Sequence, residues 1–131
     1  PLKKQLINKY DSHKIEFIDL MENSKVLKLI SNSKGIVTAT KLYEGQPTLL
    51  CEASSLGVPS IFPMTGGISE FFPKGYKLGF EQFDYLDLRN KIKELVFNKN
   101  ATQLGQENKE YIDEYLNKKN LILKFKEMTN L

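Results

Sequence analysis

An α/β domain built on a parallel sheet, with helices on both faces, is the fold class this sequence predicts, and three observations predict it. Short β-rich runs alternate with amphipathic helical runs, the pattern of strand–helix–strand winding. Two strand-to-helix turns, Glu44-Gly45-Gln46-Pro47 and Thr65-Gly66-Gly67, are rich in glycine or proline. The last third of the chain is helical in period throughout, enough to cover a sheet on both faces.

Taken in order, Leu2, Leu6, Ile7 and Tyr10 share one helical face, so the chain opens on the end of an amphipathic helix. Asp11-Ser12-His13-Lys14 reads as a turn, and Ile15-Glu16-Phe17-Ile18 alternates as a strand does. Asn23 or Ser24 is placed to cap a helix through Val26, Leu27, Leu29 and Ile30 that stops near Ser31-Asn32-Ser33. Gly35 to Ala39 is a short β-rich run, read as a buried strand delivering the chain to Glu44.

A helix follows at once. Pro47 suits its first position, because a fixed φ is already helical and a missing N–H is no loss there. Gly45 permits the sharp entry. Leu49, Ala53 and Leu56 repeat at helical spacing as an apolar face, with Thr48, Glu52 and Ser55 as a polar stripe beside it. Gly57 ends the helix and Pro59 opens the next strand, Val58 to Phe62. After the paired glycines, where backbone can pass close to a ligand, Ile68 to Phe72 gives a brief helix stopped by Pro73 and Gly75. Tyr76 to Phe80 is a further strand. Helices are expected over Asp84 to Asn98, Asn100 to Leu116 and Leu121 to Met128.

Composition bounds the function. At 131 residues the chain is read as one domain, residues 1–131, with room for a core, and 40% hydrophobic with 27% charged residues is ordinary for a globular protein. No apolar run approaches membrane-spanning length, and no signal-peptide core stands at the start. One cysteine cannot make an internal disulfide, so a reducing compartment is the default. A net charge of +3 gives no footing for nucleic acid as a partner. One histidine rules out a His-pair metal site, and neither an Asp-x-Asp motif, a P-loop lysine nor Gly-x-Gly-x-x-Gly occurs. His13 beside Asp11 and Ser12 makes no triad, since triads converge in space rather than in sequence. No metal or cofactor is expected.

The acidic stretch is the most specific signal. Glu44 and Glu52 are separated by seven residues and bracket the Gly-x-Pro turn. Behind them Ala53, Gly57, Pro59, Gly66, Gly67 and Glu70 fall in fixed register. This string resembles the acidic signature of retaining glycosyltransferases of family 4, in the Rossmann-like, donor-nucleotide-binding C-terminal domain of their two-domain GT-B fold. The resemblance covers most of the chain and begins partway through the family's pattern. It implies an excised C-terminal domain, lacking the acceptor-binding N-terminal domain and the upstream Arg and Lys that grip the donor diphosphate. The fragment alone is therefore expected to be inactive.

In that light Glu52 would hold the donor ribose. Glu44, the candidate catalytic acid, would hold the transferred sugar, and the amides around Gly45, Gln46, Pro47 and Thr48 would meet sugar or phosphate oxygens. Gly66 and Gly67 would face the interdomain cleft, with Glu70 as a further cleft acid. The chemistry fits: a carboxylate accepts two hydrogen bonds from a diol, and a helix N-terminus stabilises a departing diphosphate without reorganising. Taken singly, Glu44 reads as a solvated loop acid, Glu52 as a surface helix residue and Glu70 as a first-turn acid favoured by the helix dipole. Cys51 reads as a packed small hydrophobe rather than a nucleophile. Lys118, Lys119, Lys124 and Lys126 read as a solvated face, with contact to anionic lipid as the second option.

The expected partners are a UDP- or GDP-sugar donor, a saccharide or lipid-linked acceptor, and the N-terminal domain. The expected location is the cytoplasm, with peripheral contact at the inner membrane face. Two other classes stay open. One is a non-catalytic GT-B-like module in a glycosylation or secretion complex, and the other is a GT-B-related sugar-nucleotide epimerase.

Overall fold

The computed structural model describes residues 1–10, 12 and 14–129, and their side chains outside 118–120. Asp11 and His13, half of the expected first turn, lie outside the described residues. Among those described, the order is α1 (Leu2–Tyr10), α2 (Asn23–Ser31), β1 (Ile36–Val37), α3 (Thr48–Ser55) and β2 (Ser60–Pro63). A 3₁₀ turn (Ile68–Phe71) follows, then β3 (Gly79–Phe80), α4 (Tyr85–Phe97), α5 (Ala101–Tyr115) and α6 (Lys118–Thr129). The three strands form one all-parallel sheet in the order β1-β2-β3, with Ile36 beside Ser60 and Phe62 beside Gly79. The fold is α/β and Rossmann-like.

Helices cover both faces because β2 is buried along its whole length and its side chains alternate. Phe62 faces one cluster with Leu50 and Cys51 of α3, Ile68 and Phe71 of the 3₁₀ turn, Phe72, and Ile112 of α5. Ile61 faces the other way, into Leu78, Phe80, Leu95 of α4 and Ala101. A third cluster, Ile30, Ala53 and Val58, seats α2 beside α3. Aromatic rings fill the first cluster: Phe62 lies 4.3 Å from Phe72 and 5.7 Å from Tyr76, the latter pair stacked.

Two helix ends follow from local chemistry. Asp84 caps α4, its carboxylate accepting the amide of Asp87 at 2.9 Å. At the end of α3, Gly57 takes φ +73°. Its amide donates to Ser54 O at 2.9 Å, while the Val58 amide donates to Ala53 O at 2.9 Å. This pair of bonds is a Schellman motif, and Ala53 and Val58 make its apolar contact.

Six expectations need correction. Ile15 to Ile18 is not a strand: Ile15 makes one antiparallel bridge to Ser12, and residues 16–22 have no strand partner. Alternation marks a segment that could pair, but pairing needs a neighbouring edge, and Ile15 and Ile18 stay 49% exposed. Pro47 is the N-cap of α3 rather than its first helical residue. The buried side of α3 is Leu50, Cys51, Ala53 and Ser54, while Leu49 and Leu56 are each 40% exposed. With apolar residues at Leu49, Leu50, Cys51 and Ala53 around this short helix, periodicity alone does not choose the face. Neither Asn23 nor Ser24 caps α2: the N-cap is Glu22, which makes no side-chain cap bond, and both expected caps are already helical. The run Gly35 to Ala39 is not a buried strand: only Ile36–Val37 pair, on the edge of the sheet, where Ile36 is half-buried and Val37 is 44% exposed. Finally, α6 starts at Lys118, three residues earlier than expected.

Candidate functional site

Adjacent parallel strands release their following loops on the same edge of a sheet. Here the loop after β1, residues 38–47, meets the loop after β2, residues 64–67. The amide of Gly67 donates to the carbonyl of Glu44 at 3.1 Å. Gly66 has φ +58°, and a Cβ there would collide with that same carbonyl. A Cβ on Gly67 would come 3.2 Å from Gly45 O. The paired glycines are thus explained by the close approach of the two loops. Gly45 is not: a Cβ there meets nothing within 4 Å, so its entry to α3 carries no steric demand for glycine.

A third loop joins this edge. The Met64 amide donates to Phe80 O at 2.8 Å, and Gln82 Nε2 reaches Thr40 O at 3.4 Å, tying the loop after β3 to the loop after β1. Phe83, next to Gln82, has φ +71°, the one positive-φ non-glycine among the described residues, and is 58% exposed. Thr38, at the end of β1, donates its amide to Ile61 O at 2.9 Å, and its Oγ1 is enclosed without a partner among the described residues. The sequence reading missed Thr38, Gln82 and Phe83. No residue type or spacing in their neighbourhood signals that these three loops converge.

The expected site residues fall as follows. Glu44 and Glu52 are half-buried; Gly45, Gln46 and Thr48 are exposed; Pro47 is fully buried beneath them. Burial pushes the Cys51 thiol up, and the carboxylates of Glu44 and Glu52 push it further, so both acids lie within electrostatic reach of Cys51. Cys51 is buried in the first core cluster, a packed thiol. At the N-terminus of α3 no side chain caps the helix, and the amides of Leu49 and Leu50 meet no acceptor among the described residues. Glu70 is exposed, with its Oε2 3.9 Å from a Cβ position on Gly67. Its main-chain carbonyl accepts the Tyr111 hydroxyl at 2.7 Å. The structure therefore brings Glu44, Gly45, Gly66, Gly67 and Glu70 together, with Glu52 one turn into the helix that follows.

The face is open. A cleft of about 440 Å³ borders it on the Glu70 side, lined by Phe62, Met64, Phe72, Tyr76 and Tyr111 in addition to Glu70, and it includes neither Glu44 nor Glu52. Among the described residues no cluster of three His, Cys, Asp or Glu is arranged to hold a metal ion, and no helix is long and apolar enough to cross a membrane. An open carboxyl edge with two half-buried acids, free helix-terminal amides and a close backbone turn can bind a hydroxylated, anionic small molecule by hydrogen bonds alone. No protein-family model matches the chain, and no curated protein matches it significantly.

Proposed function

We propose that this chain is the donor-binding domain of a retaining, family 4-type glycosyltransferase with the GT-B fold. The observation that carries the reading is the meeting of the Glu44 loop with the Gly66-Gly67 turn at the carboxyl edge, directly before the N-terminus of α3. In this reading Glu52 accepts hydrogen bonds from the ribose diol of a UDP- or GDP-sugar, and Glu44 does so from hydroxyls of the transferred hexose. The amides opening α3 face the diphosphate, whose charge grows as the sugar departs. The one-walled site fits a donor domain that a second, acceptor-binding domain closes over. That closure supplies the proximity of a two-substrate transfer, so residues 1–131 alone bind donor and do not turn over.

The acceptor is a saccharide or lipid-linked saccharide, and the enzyme works in the cytoplasm, at or near the inner membrane face. Calorimetric titration of the chain with UDP- and GDP-sugars tests the proposal. Binding of one of them, weakened by Glu52→Gln, supports it. A folded chain that takes up neither class of donor refutes it.

A further inference from the structure

Three side chains in the core are polar, fully buried and unsatisfied: Ser54 on α3, Ser60 on β2 and Asn108 on α5 are each 0% exposed. Ser54 Oγ, Ser60 Oγ and both Asn108 amide atoms have no hydrogen-bond partner among the described residues. The large majority of buried side-chain polar atoms have a protein or water partner, so four orphaned atoms in one region demand a cause.

The packing of α3 on α5 brings them together. A Cβ on Gly105 would collide with the carbonyl of Gly57, so the two helices touch backbone to backbone there. At the other end, Ile112 of α5 packs in one cluster with Leu50 and Cys51 of α3. The helices therefore run antiparallel, and the turn between these contacts sets Ser54 opposite Asn108. Ser60 enters the same layer from β2, on the Phe62 side of the strand. Its amide donates to the Tyr76 hydroxyl at 3.0 Å, and that hydroxyl donates to Ser60 O at 2.7 Å. Asn108 lies near enough to the Tyr76 hydroxyl to favour its ionised form, yet outside hydrogen-bond geometry. Asn108 thus stands among Ser54, Ser60 and Tyr76 without touching any of them as a partner.

We infer that this seam binds a structural water, held by the Asn108 amide, Ser54 Oγ and Ser60 Oγ. A buried water typically makes about three hydrogen bonds to otherwise unsatisfied groups, and this layer supplies both donors and acceptors for it. The water fixes α3 against α5 and β2 at the level of Ser54, whatever the carboxyl edge binds.

Water-selective NMR on the ¹⁵N-labelled chain tests the site. The expected result is a direct, long-lived water contact at the Asn108 side-chain amide, absent in Asn108→Leu. Ser60→Ala keeps the seam's shape while removing one partner. It is expected to speed exchange of the water about fivefold, the equivalent of roughly 1 kcal/mol for one hydrogen bond, and this arm stands if Asn108→Leu fails to fold. A native Asn108 amide with no water contact, or an exchange rate unchanged by Ser60→Ala, overturns the proposal.

Discussion

The carbonyl of Glu44 accepts the amide of Gly67 at 3.1 Å, a bond between two loops that leave neighbouring parallel strands. It fixes the candidate acid's backbone to the glycine turn, and it dictates what Gly66 can be. Gly66→Ala meets both a left-handed φ of +58° and the Glu44 carbonyl. Its expected cost is about 1–3 kcal/mol, read as a lower urea midpoint. Gly45→Ala has open space and stays within about 0.5 kcal/mol of the native chain. Equal effects at the two positions would contradict this loop geometry.

Gly105→Ala sets two effects against each other. Alanine favours a helix interior by about 1 kcal/mol over glycine. The new methyl, however, strikes the Gly57 carbonyl, and backbone cannot step aside as a flexible side chain can. Overpacking of this kind costs about 1–3 kcal/mol, so the variant is expected to be less stable by chemical denaturation. A gain in stability would mean that α3 and α5 are further apart.

Phe83 is strained, and its side chain is mostly in water. A left-handed non-glycine residue costs about 1–2 kcal/mol, part of which glycine returns through greater freedom in the unfolded chain. Phe83→Gly is therefore expected to raise stability by about 0.5–1 kcal/mol, seen as a higher melting temperature.

Glu52→Gln is expected to leave the fold intact and weaken binding of a UDP- or GDP-sugar. A lost charged hydrogen bond is worth about 1.5–3 kcal/mol, on the order of tenfold to a hundredfold in affinity. Calorimetry and a melting curve on the same sample separate the outcomes. Unchanged affinity with a much lower melting temperature would make Glu52 a structural residue.

Cys51 gives a pH prediction. Its thiol is raised in the folded state, first by burial and then by Glu44 and Glu52. The folded chain therefore holds this proton where the unfolded chain releases it. The contribution is complete below the ordinary thiol value, about pH 8.5, and is lost as pH rises toward the raised one. Stability should fall on the alkaline side, and Cys51→Ala should flatten the first part of that decline in denaturation curves measured across pH. A native curve no steeper than the variant's would show that Cys51 is not held in this environment.

The sequence by itself determined the order of elements from Asn23 onward, because glycine stops and apolar periods act within a few neighbours. Gly57 shows this well: its role as a helix stop needed only Ala53, Ser54 and Val58 around it. It also singled out the two glycine turns as a pair. Tertiary structure alone decided that Ile15 to Ile18 finds no sheet partner, that α3 buries Leu50 and Ser54 rather than Leu49 and Leu56, and that Phe83 is left-handed. It alone showed that Gly66 and Gly105 are glycines because of carbonyls at Glu44 and Gly57, far away in sequence. The physical reason is the same in each case. Helix and turn propensities are written in adjacent residues, whereas strand pairing, the choice between nearly equivalent apolar faces and the space beside a backbone belong to whichever distant segment packs there.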